Sequence, residues 1–185
     1  MEDIYEKDYL EFEEFLKKQN IPFDYAIIKK AFEFCVKVHK GQLRQSKEEY
    51  YIHPVSVAKI VAQLGLDSEA VCAALLHDAV EDTDTTTEEI TKMFSSDVAI
   101  LVDGVTKIGR LSFISKEEQQ AESIRKMLIA MGKDIRVILI KLADRLHNMR
   151  TIQFMPSQKQ RDKALETLEV YAPIAHRLGI RPIKE

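Results

Sequence analysis

Four polar residues that could do chemistry follow the apolar run 71–76, namely His77, Asp78, Glu81 and Asp82. On a helix, residues three and four positions apart share one side, so these side chains would lie together. Three carboxylates at the C-terminal end of a helix are unfavourable, because the helix dipole already places negative charge there. A bound metal ion would remove the conflict, whereas the simpler alternative is an acidic helix end in contact with solvent. The residue types and their spacing favour a metal site.

A further carboxylate, Asp144, ends the most apolar stretch of the chain. A charged group that emerges from a buried helix needs a partner. An ion pair with Lys141 or Arg145 would supply one, and for Asp144 alone it is the simpler interpretation. Asn148 and Thr151 follow at the i+4 and i+7 positions, so one stripe of an otherwise apolar helix is polar. Such a stripe is typical of a helix that passes beneath a pocket.

A histidine, His53, stands directly before Pro54. Since proline disfavours helical backbone in the residue before it, His53 is expected in a loop at a helix entrance, from where it can point into a cleft. A single histidine in such a place is more often structural. Together with His77, Asp78 and Asp144, however, it completes a set of two imidazoles and two carboxylates. This mixture of nitrogen and oxygen ligands suits Mn²⁺, Fe²⁺ or Zn²⁺.

The chemistry that such a set could perform is metal-assisted hydrolysis of a phosphate ester. Four protein ligands on a six-coordinate ion leave positions open for water and a phosphate oxygen. The ion would lower the pKa of its bound water and polarise the phosphoryl group. Glu81 and Asp82, one helical turn from the ligands, could orient or deprotonate that water.

The elements that must position these residues are predicted to be helices. Only 6 Gly and 5 Pro occur in 185 residues, which disfavours turn-rich all-β folds. We expect an all-α bundle of roughly eight to ten helices in one domain, residues 1–185, with an N-terminal helix and break at 1–23. Periodicity and capping residues predict helices at 7–19, 24–41, 54–65, 67–80, 115–131 and 135–151, and in the last turns 173–179. Three further helices are predicted to begin at the capping box Thr86/Glu89, at 96 or 97 (running through 105), and at 156 or 157. Loops are expected at 42–52 and at 106–115, where Gly104 and Gly109 interrupt the helical pattern.

Composition excludes several classes of protein. The net charge of −3 gives no global attraction to nucleic acid or to an anionic membrane. Two cysteines, Cys35 and Cys72, are too few for a disulfide framework and are expected as buried thiols. The N-terminus lacks a signal-peptide core, and no apolar run is long enough to span a membrane. These features predict a cytoplasmic protein that binds neither nucleic acid nor a membrane, and they leave its oligomeric state open.

The arrangement H…HD…D, formed by His53, His77-Asp78 and Asp144, resembles the HD superfamily of metal-dependent phosphohydrolases. Residues 77–83 are similar to the HD-x-x-E-D-T element of the RelA/SpoT-type alarmone hydrolases. Other similar segments follow in order along the chain, at 39–42, 51–54, 102–107, 141–151 and 171–179. The resemblance covers residues 24–180, nearly the whole chain.

This resemblance implies an HD-type hydrolase domain with one Mn²⁺ ion per site and a guanine nucleotide as its substrate. The implied reaction removes the 3′-pyrophosphate of ppGpp or pppGpp, yielding GDP or GTP, and ends the stringent-response signal. Motif positions imply the metal ligands His53, His77, Asp78 and Asp144, the catalytic acids Glu81 and Asp82, and the nucleoside-binding residues Arg44, Ser46, Asn148 and Thr151.

One segment departs from the family pattern. The family usually has Arg-Lys-Ser-Gly-Glu-Pro-Tyr where residues 44–50 read Arg-Gln-Ser-Lys-Glu-Glu-Tyr, so a cation is lost at 45 and gained at 47. Two other functions remain open at this point: an HD nucleotidase or phosphodiesterase for another nucleotide, and a catalytically silent regulatory module. The chain is either a stand-alone hydrolase or the N-terminal part of a bifunctional enzyme.

Overall fold

A computed structural model describes residues 3–109, 125, 129 and 132–180. Within these residues it contains α-helices and short helical turns but no β-strand, so the predicted all-α class is confirmed. The helices are α1 (Asp3–Lys17), α2 (Tyr25–Val38), α3 (Ile52–Gln63), α4 (Ser68–Leu76), α5 (Ala79–Asp82), α6 (Thr87–Met93), α7 (Ser96–Gly109), α8 (Ile135–Arg150), α9 (Ser157–Glu166) and α10 (Ala172–Arg177). A 3₁₀ turn (Ile152–Phe154) follows α8, and a π turn (Thr167–Tyr171) joins α9 to α10.

Helix α4 lies at the centre of the bundle. Ser68 and every residue from Ala70 to Leu76 are buried. Alanines at 70, 73 and 74 let the neighbouring helices α2, α3, α7 and α8 approach closely. Helix α3 also packs directly against α8. The C-terminus of α4, the N-terminus of α3 and the middle of α8 meet, and the four residues predicted as metal ligands lie on or directly beside these three segments.

Capping hydrogen bonds are present at three of the predicted helix starts, 24, 67 and 86. The Asp24 carboxylate accepts hydrogen bonds from the Ala26 and Ile27 amides at 3.0 and 3.3 Å, and the Asp67 carboxylate accepts one from the Ala70 amide at 3.0 Å. Thr86 and Glu89 form the predicted capping box. Such caps satisfy amides that have no partner inside the helix, which is why their sequence signal is strong.

Several helix boundaries differ from the prediction. Helix α1 begins at Asp3 instead of residue 7, because Tyr5 and Tyr9 are buried in the core and extend the packed face. The helix that follows Asp67 ends at Leu76 instead of continuing to 80. The predicted loop at 106–115 is wrong for residues 106–109, which belong to α7; its remainder lies outside the described residues. The predicted helix 115–131 also lies outside them, except for residues 125 and 129.

Gly104 has a packing role instead of bounding a loop. A Cβ atom at this position would lie 2.8 Å from Cγ2 of Val137. The absence of a side chain therefore lets α7 approach α8.

Two further predictions concern the cysteines and membrane insertion. Both cysteines are free and buried, as predicted. Among the described residues, no helix is long and apolar enough to cross a membrane.

Candidate metal centre and nucleoside pocket

His53 lies in the first turn of α3, so the prediction that it occupies a loop is wrong. Its amide donates to the carbonyl of Tyr50 at 3.0 Å, and only 3% of the residue is exposed. Proline disfavours helical backbone in the preceding residue but does not forbid it. The turn hydrogen bond and the burial of the imidazole offset the cost here.

The structure brings together the four residues proposed as metal ligands. The Nε2 atom of His53 lies 3.3 Å from Oδ1 of Asp144 and 3.6 Å from Oδ2 of Asp78. The Nε2 atom of His77 lies 3.1 Å from Oδ1 of Asp78 and 4.0 Å from Oδ1 of Asp144. His53, His77 and Asp144 are buried, and their ligand atoms all lie within 4.8 Å of one another.

The hydrogen bonding of His77 fits a metal ligand. Its Nδ1 atom lies 2.7 Å from the carbonyl oxygen of Ala74 and must therefore carry the proton. Nε2 is buried without a hydrogen-bond partner and faces Asp78 and Asp144, and it can carry either a second proton or, in the neutral ring, a lone pair. A lone pair directed at carboxylates is unfavourable unless a cation lies between them. A histidine held through its other ring nitrogen is the usual arrangement in metal sites.

Two consecutive site residues, His77 and Asp78, lie between α4 and α5. His77 caps α4 and Asp78 precedes α5, so the two residues form the short turn between the helices. In α5, the backbone amides of Glu81 and Asp82 donate hydrogen bonds to the carbonyl of Asp78 at 3.2 and 2.8 Å. This turn interrupts the continuous helix that the sequence predicted at 67–80.

Both interpretations of Asp144 apply at once. Its Oδ2 accepts a hydrogen bond from Nζ of Lys141 at 2.9 Å, which is the predicted ion pair, while its Oδ1 faces the two histidines. Arg145, the other proposed partner, is paired with Glu166 at 2.8 Å instead. Oδ2 of Asp144 is thus anchored by Lys141, while Oδ1 faces the histidines and also accepts a hydrogen bond from Nδ2 of Asn148.

The electrostatics of the cluster favour a cation. Burial opposes protonation of His77, but the nearby charge of Asp78 outweighs it and raises the pKa of His77 to about 9. Burial would raise the pKa of each carboxyl group, but His77 holds that of Asp78, and Lys141 that of Asp144, below the ordinary value. Both carboxylates are therefore ionised at neutral pH, Lys141 pairs with one of them, and His77 carries a proton whose place a bound metal ion would take.

Glu81 and Asp82 lie on α5, immediately beyond the cluster, and are exposed. Desolvation by the surrounding protein raises the pKa of Glu81; Lys141 opposes this shift, and the charges of Asp78 and Asp82 add to it. Their position lets both carboxyl groups meet a molecule that enters from solvent.

Tyr50 is a site residue that sequence reasoning missed. Its hydroxyl lies 3.0 Å from Oδ2 of Asp78 and 2.8 Å from Oδ2 of Asp82. Its ring stacks on His39, with the ring centroids 4.7 Å apart. The available signal was its position three residues before His53, which places both on the same turn.

A pocket of about 240 Å³ opens next to the metal centre, between the 42–50 loop and the end of α8. It is lined by Leu43, Arg44, Gln45, Ser46, Tyr50, Thr151, Phe154 and Met155. Three of the four predicted nucleoside-binding residues are therefore at its wall. Tyr50 belongs both to this wall and, through its hydroxyl, to the metal centre.

The fourth residue, Asn148, is placed differently. Its Nδ2 donates to Oδ1 of Asp144, and its Oδ1 accepts from Nη2 of Arg44 at 3.0 Å. Both ends of the amide are thus engaged within the protein. Asn148 connects the wall of the pocket to the metal centre, and its predicted contact with the nucleoside stays a prediction.

Comparison with known proteins identifies the family. A family model described as the HD domain matches residues 31–181. The chain belongs to the HD domain family.

This HD domain is similar to several curated proteins. It is 56% identical over 164 residues to a GTP pyrophosphokinase from Myxococcus xanthus. It is 57% identical over 146 residues to a guanosine-3′,5′-bis(diphosphate) 3′-pyrophosphohydrolase from Haemophilus influenzae and 52% identical over 157 residues to the bifunctional (p)ppGpp synthase/hydrolase SpoT of Escherichia coli. The alignments cover 87%, 79% and 85% of this chain but 22% of each relative. The HD domain thus spans about a fifth of the length of these curated relatives.

A solved structure is also similar. It is described as a metazoan ortholog of SpoT that hydrolyzes ppGpp and plays a role in starvation responses. The match has a TM-score of 0.62 and 28% identity, and it covers 78% of this chain and 83% of that one. The predicted resemblance to the RelA/SpoT-type hydrolases is confirmed by these comparisons.

Proposed function

We propose that this HD domain hydrolyses the 3′-pyrophosphate of ppGpp and pppGpp, releasing pyrophosphate and GDP or GTP, with Mn²⁺ as its metal. The observation that carries the proposal is the placement of the pocket against the buried His/Asp cluster, with Tyr50 belonging to both. A nucleoside in the pocket would have its ribose substituents next to the metal centre. The names of the relatives support guanosine tetraphosphate as the substrate.

The metal would be held by the Nε2 atoms of His53 and His77 and by the carboxylates of Asp78 and Asp144. When bound, Mn²⁺ would supply a water of lowered pKa and would polarise the phosphoryl group. Lys141 anchors the far oxygen of Asp144, and Ala74 holds the ring of His77, so the protein fixes the direction of these ligands. Nitrogen and carboxylate donors without thiolate fit Mn²⁺.

Glu81 and Asp82 would handle the protons. Water adds to the phosphorus that carries the 3′ oxygen, the bond between them breaks, and the 3′ oxygen takes up a proton. Asp82, held through Tyr50, suits the acceptor of the proton from water. Glu81, whose pKa is raised, suits the donor of a proton to the departing 3′ oxygen.

Recognition of the nucleoside is assigned to the pocket wall. The planar guanidinium of Arg44 is bonded along its edge to Asn148, which leaves its face available for stacking on a base. Thr151 and Ser46 carry hydroxyls on either side of the pocket. Thr151 donates to the carbonyl of His147 at 3.1 Å, and Ser46 donates to Glu48 at 2.8 Å, so each oxygen can accept from a nucleoside group.

The proposal is tested by offering a panel of nucleotides to the Mn²⁺-loaded protein. We expect ppGpp to yield GDP and pyrophosphate, GTP and GDP to remain intact, and an adenosine analogue with a 3′-diphosphate to react more slowly. Polar groups that pair with a base reject an analogue that leaves them unpaired. Rapid hydrolysis of GTP, or release of orthophosphate from ppGpp, would instead indicate a nucleotidase. Metal binding without any turnover would indicate a silent regulatory module.

A further inference from the structure

Two hydrogen-bonding groups converge on one ring nitrogen of His147, on the side of α8 that faces α3. The Nδ1 atom of His147 lies 2.7 Å from Nδ1 of His53 and 3.4 Å from Nη1 of Arg44. The rings of His53 and His147 are tilted, with centroids 4.8 Å apart. His147 thus stands between the pocket wall and a proposed metal ligand.

The chemistry of these three groups assigns the protons. A guanidinium only donates hydrogen bonds, so Nδ1 of His147 must be the acceptor for Arg44. The same nitrogen can then only accept from His53, whose Nδ1 must carry the proton. The Nε2 atom of His53 is therefore left with its lone pair directed at Asp144 and Asp78, as a metal ligand requires.

We propose that His147, held by Arg44, is a positioning residue that fixes the tautomer and orientation of His53 for metal binding. The inference rests on the proposed function only in that His53 holds the metal. The proposal has a further consequence. Arg44, a residue of the nucleoside pocket, controls the affinity of the centre for its metal ion without touching a ligand atom. Asn148 provides a parallel connection from Arg44 to Asp144.

The first experiment is a titration of Mn²⁺ into the protein without nucleotide, followed by the electron paramagnetic resonance signal of free Mn²⁺. His147→Leu removes the acceptor, while the similarly shaped His147→Asn keeps an oxygen near the position of Nδ1. We expect His147→Leu to weaken Mn²⁺ binding by about 10–100-fold. His147→Asn should stay close to wild type. Equal affinity of the wild type and His147→Leu, or equal losses in both variants, would overturn the proposal.

A second pair of variants separates this connection from simple charge effects. Arg150 is also close enough to His147 to influence it electrostatically, and it is exposed at the end of α8. Removing a positive charge near a cation site should strengthen Mn²⁺ binding if only Coulomb forces act. We expect Arg44→Met to weaken Mn²⁺ binding severalfold and Arg150→Met not to weaken it. Tighter binding in both variants would contradict the role of Arg44.

These measurements separate the inference from the proposed function. Mn²⁺ affinity is read without any substrate, so a protein that fails to hydrolyse ppGpp can still give the expected differences among the variants. Conversely, an active wild type whose variants all bind Mn²⁺ equally would leave the proposed function intact and refute the role of His147. Thermal unfolding of each variant in excess chelator checks that the fold is retained before affinities are compared.

Discussion

At the scale of single residues, the site depends on side chains that each have one atom anchored and another directed inward. His77 is held by the carbonyl of Ala74, and Asp144 by Lys141. The sequence identified which residue types meet, because the doublet at 77–78 and the carboxylate at 144 are unusual at the ends of apolar segments. It predicted Lys141 as a partner of Asp144, but it could not identify Tyr50, whose hydroxyl reaches Asp78 and Asp82 through folding and not through helical spacing.

Ligands and proton carriers should differ in their effect on metal content. We expect His77→Ala and Asp144→Ala to lose both Mn²⁺ and turnover, because each removes an inward-facing donor atom. Glu81→Gln and Asp82→Asn should retain Mn²⁺ and lose about 10²–10⁴ in turnover, as expected for general acid–base groups. Metal analysis of the purified variants measures the difference. Equal loss of metal in all four would refute this division of roles.

The hydroxyl of Tyr50 should matter for turnover more than for KM. Tyr50→Phe keeps the ring that stacks on His39 but removes the hydroxyl contacts with Asp82 and with Asp78, so we expect turnover to fall at least about 10-fold with KM little changed. Tyr51→Phe is the matched control, since its buried hydroxyl bonds Asp8 on α1, away from the site. Equal activity of the two variants would show that the Tyr50 hydroxyl has no part in the reaction.

At the scale of elements, most helices could be predicted because caps and periodicity are local signals. The boundary predictions that failed depend on contacts between residues far apart in the sequence or on a turn within an apolar pattern. Gly104 looked like a helix breaker, but it lies inside α7 because tertiary packing against Val137 requires a residue without a side chain. The turn at His77 was missed because the apolar pattern alone continues through it.

The contact at Gly104 gives a prediction about stability. Gly104→Ala places a methyl group against Val137 and should destabilise the fold by about 1–3 kcal/mol, although alanine favours helices. At the helical, exposed Gly132, where an added Cβ meets nothing within 4 Å, Ala should be neutral or stabilising. Chemical denaturation of the two variants measures the contrast. Restoration of stability by adding Val137→Ala to Gly104→Ala would confirm the cause.

At the scale of the whole molecule, the proposed metal ligands come from α3, α8 and the turn after α4, so a bound ion should contribute to the stability of the bundle. Without a cation, Asp78 and Asp144 repel each other in a buried place. We expect excess chelator to lower the melting temperature and added Mn²⁺ to restore it. An ion at 100 times its Kd stabilises the folded state by about 2.7 kcal/mol. An unchanged melting curve after verified metal removal would count against the site.

We propose that this HD domain breaks the bond between the 3′ oxygen and phosphorus of ppGpp by adding water to that phosphorus. The most direct measurement is a single turnover of ppGpp by the Mn²⁺-loaded protein in ¹⁸O-labelled water, with mass analysis of the products. We expect one pyrophosphate carrying one ¹⁸O for each unlabelled GDP. Label in orthophosphate or in GDP, or no turnover with Mn²⁺ bound, would contradict it.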